Sequence, residues 1–352
     1  MRIESRICLG VALVGMVMAP ARAAEGRIPI FQPSTVITEQ GSYYVTQNLI
    51  GTGAAPVIRV AVSSVDVDLN GFTLSGGVGP AAVIVIDAVD NVRIHGGVLT
   101  GGGRSIDVPV AGLFYTIEDI SASASSGAGI RWANGGGLLI RRVQILHAGA
   151  EGILLENGEQ ATVEDSLVSG NFASAAIRLS NLNASQVLRC TIRHPAAEGI
   201  LVDGGAGGAS LGVQLRDNML FDSIGDAIRM DTVQGGEIWN NAVHRSIANG
   251  IHIMSTAREI SVRENHVNNC SLTGLLIEGV QNSATGNHVT NNFDWGFRLT
   301  STAQRNTFGG NSISGNQAFT ACTGTAMLND FCNAGVNNAS FGNNLVPSVP
   351  LF

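Results

Sequence analysis

The sequence predicts an all-β solenoid, and three observations carry that expectation. An apolar residue opening a short strand-like pattern recurs at Leu69, Ile94, Ile117, Ile140, Val163, Val187, Leu215, Ile238, Val262, Ala284 and Phe308. The gaps run from 22 to 28 residues, and a repeat of this length is one supersecondary unit stacked on copies of itself. A second pattern puts a small residue before an aliphatic or aromatic one, at Gly129-Ile130, Gly152-Ile153, Ala176-Ile177, Gly199-Ile200, Ala227-Ile228, Gly250-Ile251, Gly274-Leu275 and Gly296-Phe297. The third reads apolar-x-x-Asn-x-apolar, with Asn218, Asn241, Asn265, Asn287 and Asn311 at its centre in five successive coils. About eleven coils follow, and at ~4.8 Å per coil the rod would be on the order of 50 Å long.

The elements follow in chain order. Arg2 and Arg6 precede a short apolar run from Ile7 to Pro20, and Ala21-Arg22-Ala23 offers a cleavage site before Ala24. Residues 1–23 therefore read as an export signal, too short to span a bilayer, and no later run reaches about 18 apolar residues. The mature chain is expected in the periplasm or outside the cell, without a membrane span. Residues 24–54 read as an N-terminal cap with opening strands, 55–320 as the solenoid and 321–352 as a C-terminal cap or tail. Open ends of a parallel sheet invite pairing and need covers. Cys322 and Cys332, in the irregular last segment, are expected to form a disulfide that staples that end.

Within the Gly-Ile strands the second apolar residue comes two positions later, at Trp132, Leu155, Leu179, Val202, Met230, Ile253, Ile277 and Leu299. Alternation with period two puts these pairs inside and the intervening residues outside. The small residue before each strand suits a tight corner. In the asparagine pattern the three-then-two spacing breaks the alternation, so a corner lies between. Asparagine tolerates the left-handed backbone such a corner uses, and stacked amides can bond along the column. Earlier coils carry Val143, Ser166 and Cys190 at the same place.

Coils with inward aliphatic stacks and an internal asparagine ladder resemble the right-handed parallel β-helix, or pectin-lyase-like, superfamily over roughly residues 55–320. Its members include pectate lyases, polygalacturonases, alginate epimerases and NosD-like periplasmic repeat proteins. Thr38 to Val45 looks like the opening strand of NosD-like members. The resemblance implies a single-stranded right-handed parallel β-helix. Fold alone does not imply a reaction. The N-T-D, D-D, G-H-G and R-I-K elements of polygalacturonases are absent, as are the R-x-P-x-x-R of pectate lyases and the D-P-H-D of alginate epimerases.

Composition narrows the chemistry. The chain has 20 basic residues, all arginine, 27 acidic ones and a formal net charge of −7. Lysine bases and Schiff bases are thereby excluded, and an acidic, lysine-free chain is a poor nucleic-acid partner. No C-x-x-C pair signals a zinc site, and no cofactor is identified.

Alternation makes the outward residues of the Gly-Ile strand computable. One column reads Arg131, Leu154, Arg178, Leu201, Arg229, His252, Leu276, Arg298; the next reads Ala133, Glu156, Ser180, Asp203, Asp231, Met254, Glu278, Thr300. Asp203 and Asp231 fall on adjacent rungs, ~5 Å apart, where carboxylates can divide acid and base roles. The longest repeat inserts Gly204 to Gly208 directly after Asp203, a loop placed to wall a groove. The candidate catalytic residues are Asp203, Asp231, Arg229 and His252. Arg178, Glu156, Glu278 and Arg298 are candidates for substrate binding. The same pattern also fits ordinary solvated cross-strand ion pairs.

Three lesser signals stand beside this. His147 and His194 lie four residues before Glu151 and Glu198, and Asp226 occupies the place of these glutamates in its own coil. His266 and His288 occupy equivalent places in adjacent coils, where two imidazoles can share a metal or stand as solvated neighbours. Gly101 to Gly103 and Gly135 to Gly137 lack the lysine and helix of a phosphate loop and read as corners.

Two functions follow as expectations. One is an exported enzyme acting on an acidic polysaccharide as lyase, hydrolase or epimerase. Arg178 and Arg229 would clamp a uronate, His252 or Asp231 would be the base, and Asp203 a helper or acid. The other is a non-catalytic periplasmic or surface module that binds a glycan or serves as an accessory.

Overall fold

The computed structural model describes residues 26–52, 54–77, 79, 81–317, 322, 325–327 and 330–341. Residues 1–23, expected to be an export signal, and the tail beyond 341 lie outside the described residues. Among the described residues the chain winds through 39 strands, most of them three residues long, into a β-solenoid of about 12 turns, with no α-helix.

Each turn contributes to three columns of parallel strands. The first column holds the Gly-Ile strands, from Thr35–Ile37 through Ile153 and Ile251–Ile253 to Phe331–Asn333. The second holds Glu237–Trp239, Ser261–Arg263 and their equivalents, and the third Ala242–His244, His266–Asn268, His288–Thr290 and theirs. The three-residue strands of the first column point two apolar side chains inward and those of the other two columns one, because strand side chains alternate. The pairs Ile228/Met230, Ile251/Ile253 and Leu275/Ile277 are at most 1% exposed. Each fully buried aliphatic contributes about 2 kcal/mol, and the stack continues along the whole rod.

The expected repeat is realised in register: Ile94, Ile117, Ile140, Val163, Val187, Leu215, Ile238, Val262, Ala284 and Phe308 pair one above the next. Leu69 is the exception. Val67 faces Ile94, and Leu69 lies two residues further on, at 0% exposure. Both are inward positions of one strand face, and apolarity alone does not distinguish them. The opening strands already belong to the ladder, since Ile28–Ile30 pairs with Tyr43–Val45 and Gly41–Tyr44 with Val65–Asp68.

The asparagine corner is built as a hydrogen-bonded column. Asn265 Oδ1 accepts from Asn241 N (2.9 Å) and Asn241 Nδ2 (3.0 Å), and Asn265 Nδ2 donates to Ile238 O, Arg263 O and Asn287 Oδ1. Asn218, Asn241, Asn287 and Asn311 are equally buried, and Cys190 and Ser166 continue the column upward. The left-handed residue is not the asparagine but the one before it: Arg142, Asp165, Arg189, Asp217, Asn240 and Glu264 have φ from 50° to 57°. A buried amide must point along the column, so the outward neighbour absorbs the turn instead. Two further stacks occur at the other corners, Asn282–Asn306–Asn338 and Asn292–Asn316–Asp330.

At the C-terminal end Thr325–Met327 turns antiparallel to Phe331–Asn333, and Cys322 is joined to Cys332. Phe297, Phe308 and Phe331 pack with ring centroids 5.1 to 5.7 Å apart beneath it. Cys190 and Cys270 are buried free thiols whose pKa burial pushes up to about 12.

Candidate functional site

The outward columns of the first sheet stand as the alternation requires. Arg131, Leu154, Arg178, Leu201, Arg229, His252, Leu276 and Arg298 pair in succession. Ala133, Glu156, Ser180 and Asp203 do the same beside them, and Asp231 N donates to Val202 O on the following rung. All eight candidate residues thus share one half-buried face.

Their partners divide the face into two parts. In the upper part the arginines are tightly held. Arg131 Nε donates to Glu156 at 2.9 Å, and Arg178 Nε donates to Asp203 Oδ2 at 2.8 Å. Asp203 also accepts from Ser180 Oγ and from Gly205 N, in the glycine loop. That loop folds back over the preceding rung, so close that a Cβ at Gly205 would meet Ser180 Oγ at 2.5 Å.

Lower down the contacts loosen. Arg229 reaches Glu198 and Asp231 only at 3.4 Å each, and its buried Nε has no hydrogen-bond partner among the described residues. On the next rung His252 Nδ1 lies 2.7 Å from Asp226 Oδ2. Burial pushes the Asp226 carboxyl up, but the bond and charge of His252 and two N–H bonds from Asn249 outweigh it and hold Asp226 below the ordinary carboxylate range. An ionised Asp226 can only accept, so His252 Nδ1 carries a proton, and in the neutral ring the lone pair is then on Nε2. That Nε2 is buried without a hydrogen-bond partner among the described residues, with Glu278 Oε1 at 3.7 Å. Buried polar atoms are almost always satisfied, and two unsatisfied ones on paired neighbours, Arg229 and His252, set this spot apart. Asp231 is pushed up by burial, yet Thr256, Thr232 and Arg229 hold it below the ordinary range, as a carboxylate. Arg298 lies beside Asp294, 3.9 Å away.

Asp226 is the residue this site adds to the candidate set. The sequence places it among the carboxylates preceding the corner, but not against His252. The histidine-to-glutamate pairs are not brought together: Glu151 faces Arg178, Glu198 faces Arg229, and His194 faces Asp222 at 3.4 Å. A strand corner separates the two members of each pair, and each meets the rung above or below instead.

Shallow concavities among the described residues include one beside the upper part of this face. It measures about 530 Å³, lies at the corner after the first sheet, and is lined by Asn134, Asn157 and Asn181 and by glycine backbone. Among the described residues no group of three or more His, Cys, Asp or Glu side chains is arranged to hold a metal ion, and no helix is long and apolar enough to cross a membrane.

Comparison with known proteins agrees with the geometry of the coil. The sequence profile described as a right-handed β-helix region matches residues 81–218, and that of the periplasmic copper-binding protein NosD matches 204–343. No curated protein sequence matches the chain. Among solved structures, the periplasmic alginate epimerase AlgG superposes with a TM-score of 0.62 at 12% identity, covering 92% of this chain and 77% of its own. The A-module of the Azotobacter vinelandii mannuronan C-5 epimerase AlgE6 gives 0.62 at 11%, covering 89% and 92%, and that of AlgE4 gives 0.57 at 13%, covering 89% of each. Identities this low speak for the fold alone. With the matched profiles, the in-register coils and the asparagine columns, the chain belongs to the right-handed parallel β-helix, or pectin-lyase-like, superfamily.

Proposed function

We propose that this protein is an exported enzyme that acts on an acidic polysaccharide at the face around Arg229 and His252. One observation carries the reading: the Asp226–His252 couple, 2.7 Å apart, leaves an unpartnered imidazole nitrogen beside an arginine whose ion pairs are long. Asp226 fixes the tautomer and stabilises the imidazolium that forms when Nε2 takes a proton, so His252 is the base. Arg229 exchanges its 3.4 Å partners for the carboxylate of a uronate, which a guanidinium grips bidentately. With that charge neutralised, Nε2 removes the C5 proton. The electron pair left on C5 then either expels the C4 oxygen or takes up a proton from the opposite face, inverting C5. In the first case the C4 oxygen takes up the proton from the His252 imidazolium, giving an unsaturated product. In the second a water molecule on the opposite face donates the proton, and the hydroxide so formed is neutralised by the imidazolium proton through solvent. Glu278 must swing from Nε2 to admit the sugar. Asp231, kept ionised, is a poor proton donor and positions Arg229. Asp203 lies two rungs from His252, ~10 Å along the sheet, and with Arg178, Glu156 and Arg298 it lines the path of neighbouring sugar units. Structural likeness to alginate epimerases supports this substrate class, as does the export signal.

The test is incubation of the mature protein with alginate, pectate and other uronans. Absorbance reports unsaturated ends, and proton NMR reports inverted C5 centres. Arg229→Ala and Asp231→Ala should abolish turnover while shifting the melting temperature by no more than a few degrees. Retained activity in both variants would remove the assignment. The NosD profile over 204–343 favours a second reading, a non-catalytic periplasmic module, which predicts silence on the whole panel with glycan binding retained.

A further inference from the structure

The corner between the first and second sheets carries a trough that the proposed reaction does not use. Its floor is bare backbone, Gly112, Gly135 and Gly158 on successive rungs, and what lies beneath keeps it bare. A Cβ at Gly135 would stand 2.8 Å from Trp132 Cζ2, one at Gly158 would collide with the same indole, and one at Gly112 with Tyr115 Oη. Trp132 is fully buried, and its Nε1 has no hydrogen-bond partner among the described residues.

Asn134, Asn157 and Asn181 form one wall, and all three have φ between 52° and 60°, the left-handed region that asparagine tolerates. Asn181 Nδ2 donates to Asn157 Oδ1 at 3.0 Å, whereas the exposed Asn134 amide has no hydrogen bond among the described residues. Opposite stand Leu113, Glu159 and Asn183, in register, with Gly136 between the first two. Phe114 continues this rim, 65% exposed, its ring against Gly137. Its φ of 63° is an uncommon and costly backbone for a bulky side chain. At the far end the 204–208 loop packs on Asn181, so close that a Cβ at Gly207 would collide with its amide.

Amides repeated at ~4.8 Å offer a donor and an acceptor per rung, at nearly the length of one pyranose unit. The glycine floor lets a sugar ring lie close to the backbone, and Leu113 and Phe114 suit its C–H faces. Glu159 accepts from hydroxyls and repels a carboxylate, and no basic side chain lines the trough among the described residues. We propose that this trough binds a neutral, linear glycan laid along the rod. A uronan, assigned above to the Arg229–His252 face, finds no cationic partner here, so the two surfaces take different chains. The trough uses no residue of the proposed reaction and holds or fails independently of it.

The experiment uses the full mature chain carrying Arg229→Ala, which removes the uronate clamp of the other face. It is titrated calorimetrically with cellohexaose, mannohexaose, maltohexaose, xylohexaose and hexamannuronate. The expected result is one site for at least one neutral hexaose, with hexamannuronate bound at least about tenfold more weakly. The Trp132 indole N–H resonance should shift on binding, because that ring lies beneath the floor. Asn134→Gly and Asn157→Gly, glycine being at ease with a positive φ, should together weaken the bound hexaose by at least about tenfold. Both positions are exposed, so the melting temperature of this double variant should match the parent and verify folding. Phe114→Asn, which relieves the backbone, should weaken binding without lowering the melting temperature. No binding of any neutral hexaose, hexamannuronate bound as tightly, or unchanged affinity in the double variant overturns the site.

Discussion

The asparagine corner and the Arg229–His252 face are both polar, both repeated along the rod, and built on opposite terms. In the corner each amide of Asn241 and Asn265 is bonded above, below and to the backbone, at 2.9 to 3.1 Å. On the face, Arg229 Nε and His252 Nε2 are buried without a hydrogen bond among the described residues. A satisfied buried amide stabilises, whereas an unsatisfied one costs about 1–3 kcal/mol and persists where something else requires it. Polar residues alone therefore do not distinguish scaffold from site in this fold, and neither does one unsatisfied atom, since Asn282 Nδ2 in a scaffold stack also lacks a hydrogen bond among the described residues; two such atoms on directly paired neighbours mark Arg229 and His252.

The largest effect should come from breaking the corner. Asn265→Ala removes an amide and strands donors on Asn241 and an acceptor on Asn287, so a loss of about 3–5 kcal/mol is expected by denaturant unfolding. The complementary change on the face, His252→Ala, should lower turnover by at least about 10²-fold, which is ~2.7 kcal/mol of barrier, and leave the unfolding midpoint nearly unchanged. If His252→Ala instead unfolds the protein like the asparagine change, the contrast between the two regions is lost.

Acid should discriminate next. Asp226, Asp231, Glu118, Asp222 and Glu237 all have folded pKa values below their ordinary ones. For such groups the stabilisation is complete above the unfolded pKa, near about 4, and is lost as pH falls through the lower folded value. Melting temperature should therefore be flat from neutrality to about pH 5 and drop below about pH 4. Asp226→Asn should reduce that acid sensitivity, and a profile unchanged by it would mean that Asp226 is not the ionised partner of His252. The smallest effect is expected at Ser166, the hydroxyl equivalent of the asparagines. Ser166→Ala should cost about 1 kcal/mol, because only the bonds to Val143 N and Glu164 O are lost.

What is legible in the sequence follows from the same physics. Every outward residue from Arg131 to Arg298 falls in its expected column because strand alternation and a fixed turn length determine it. The disulfide is legible because only Cys322 and Cys332 lie in the irregular segment. Bonding between rungs is not. Whether Asp226 turns toward His252, or Arg178 toward Asp203, depends on rotamers at three or four neighbouring positions. The stacks at Asn282 and Asn292 escape the repeat pattern because fewer coils carry them, although Asn292, Asn316 and Asp330 are each bonded to the next. Expecting the left-handed turn at the asparagine, when Asp217 or Glu264 takes it, applies a local propensity where burial decides.

One consequence follows from each strand of the solenoid before the C-terminal hairpin pairing only with its counterparts in the preceding and following windings. The length of such a rod is not fixed by closure, as it is in a barrel. Excising one whole winding, such as the 22 residues from Asn265 to the equivalent Asn287, would bring like residues to the join and leave a shorter rod of the same cross-section. Excising an odd fragment of a strand would turn its aliphatic side chains toward water. Variation between relatives should accordingly come as integral windings, with the hydrophobic filling preserved on both sides of each splice.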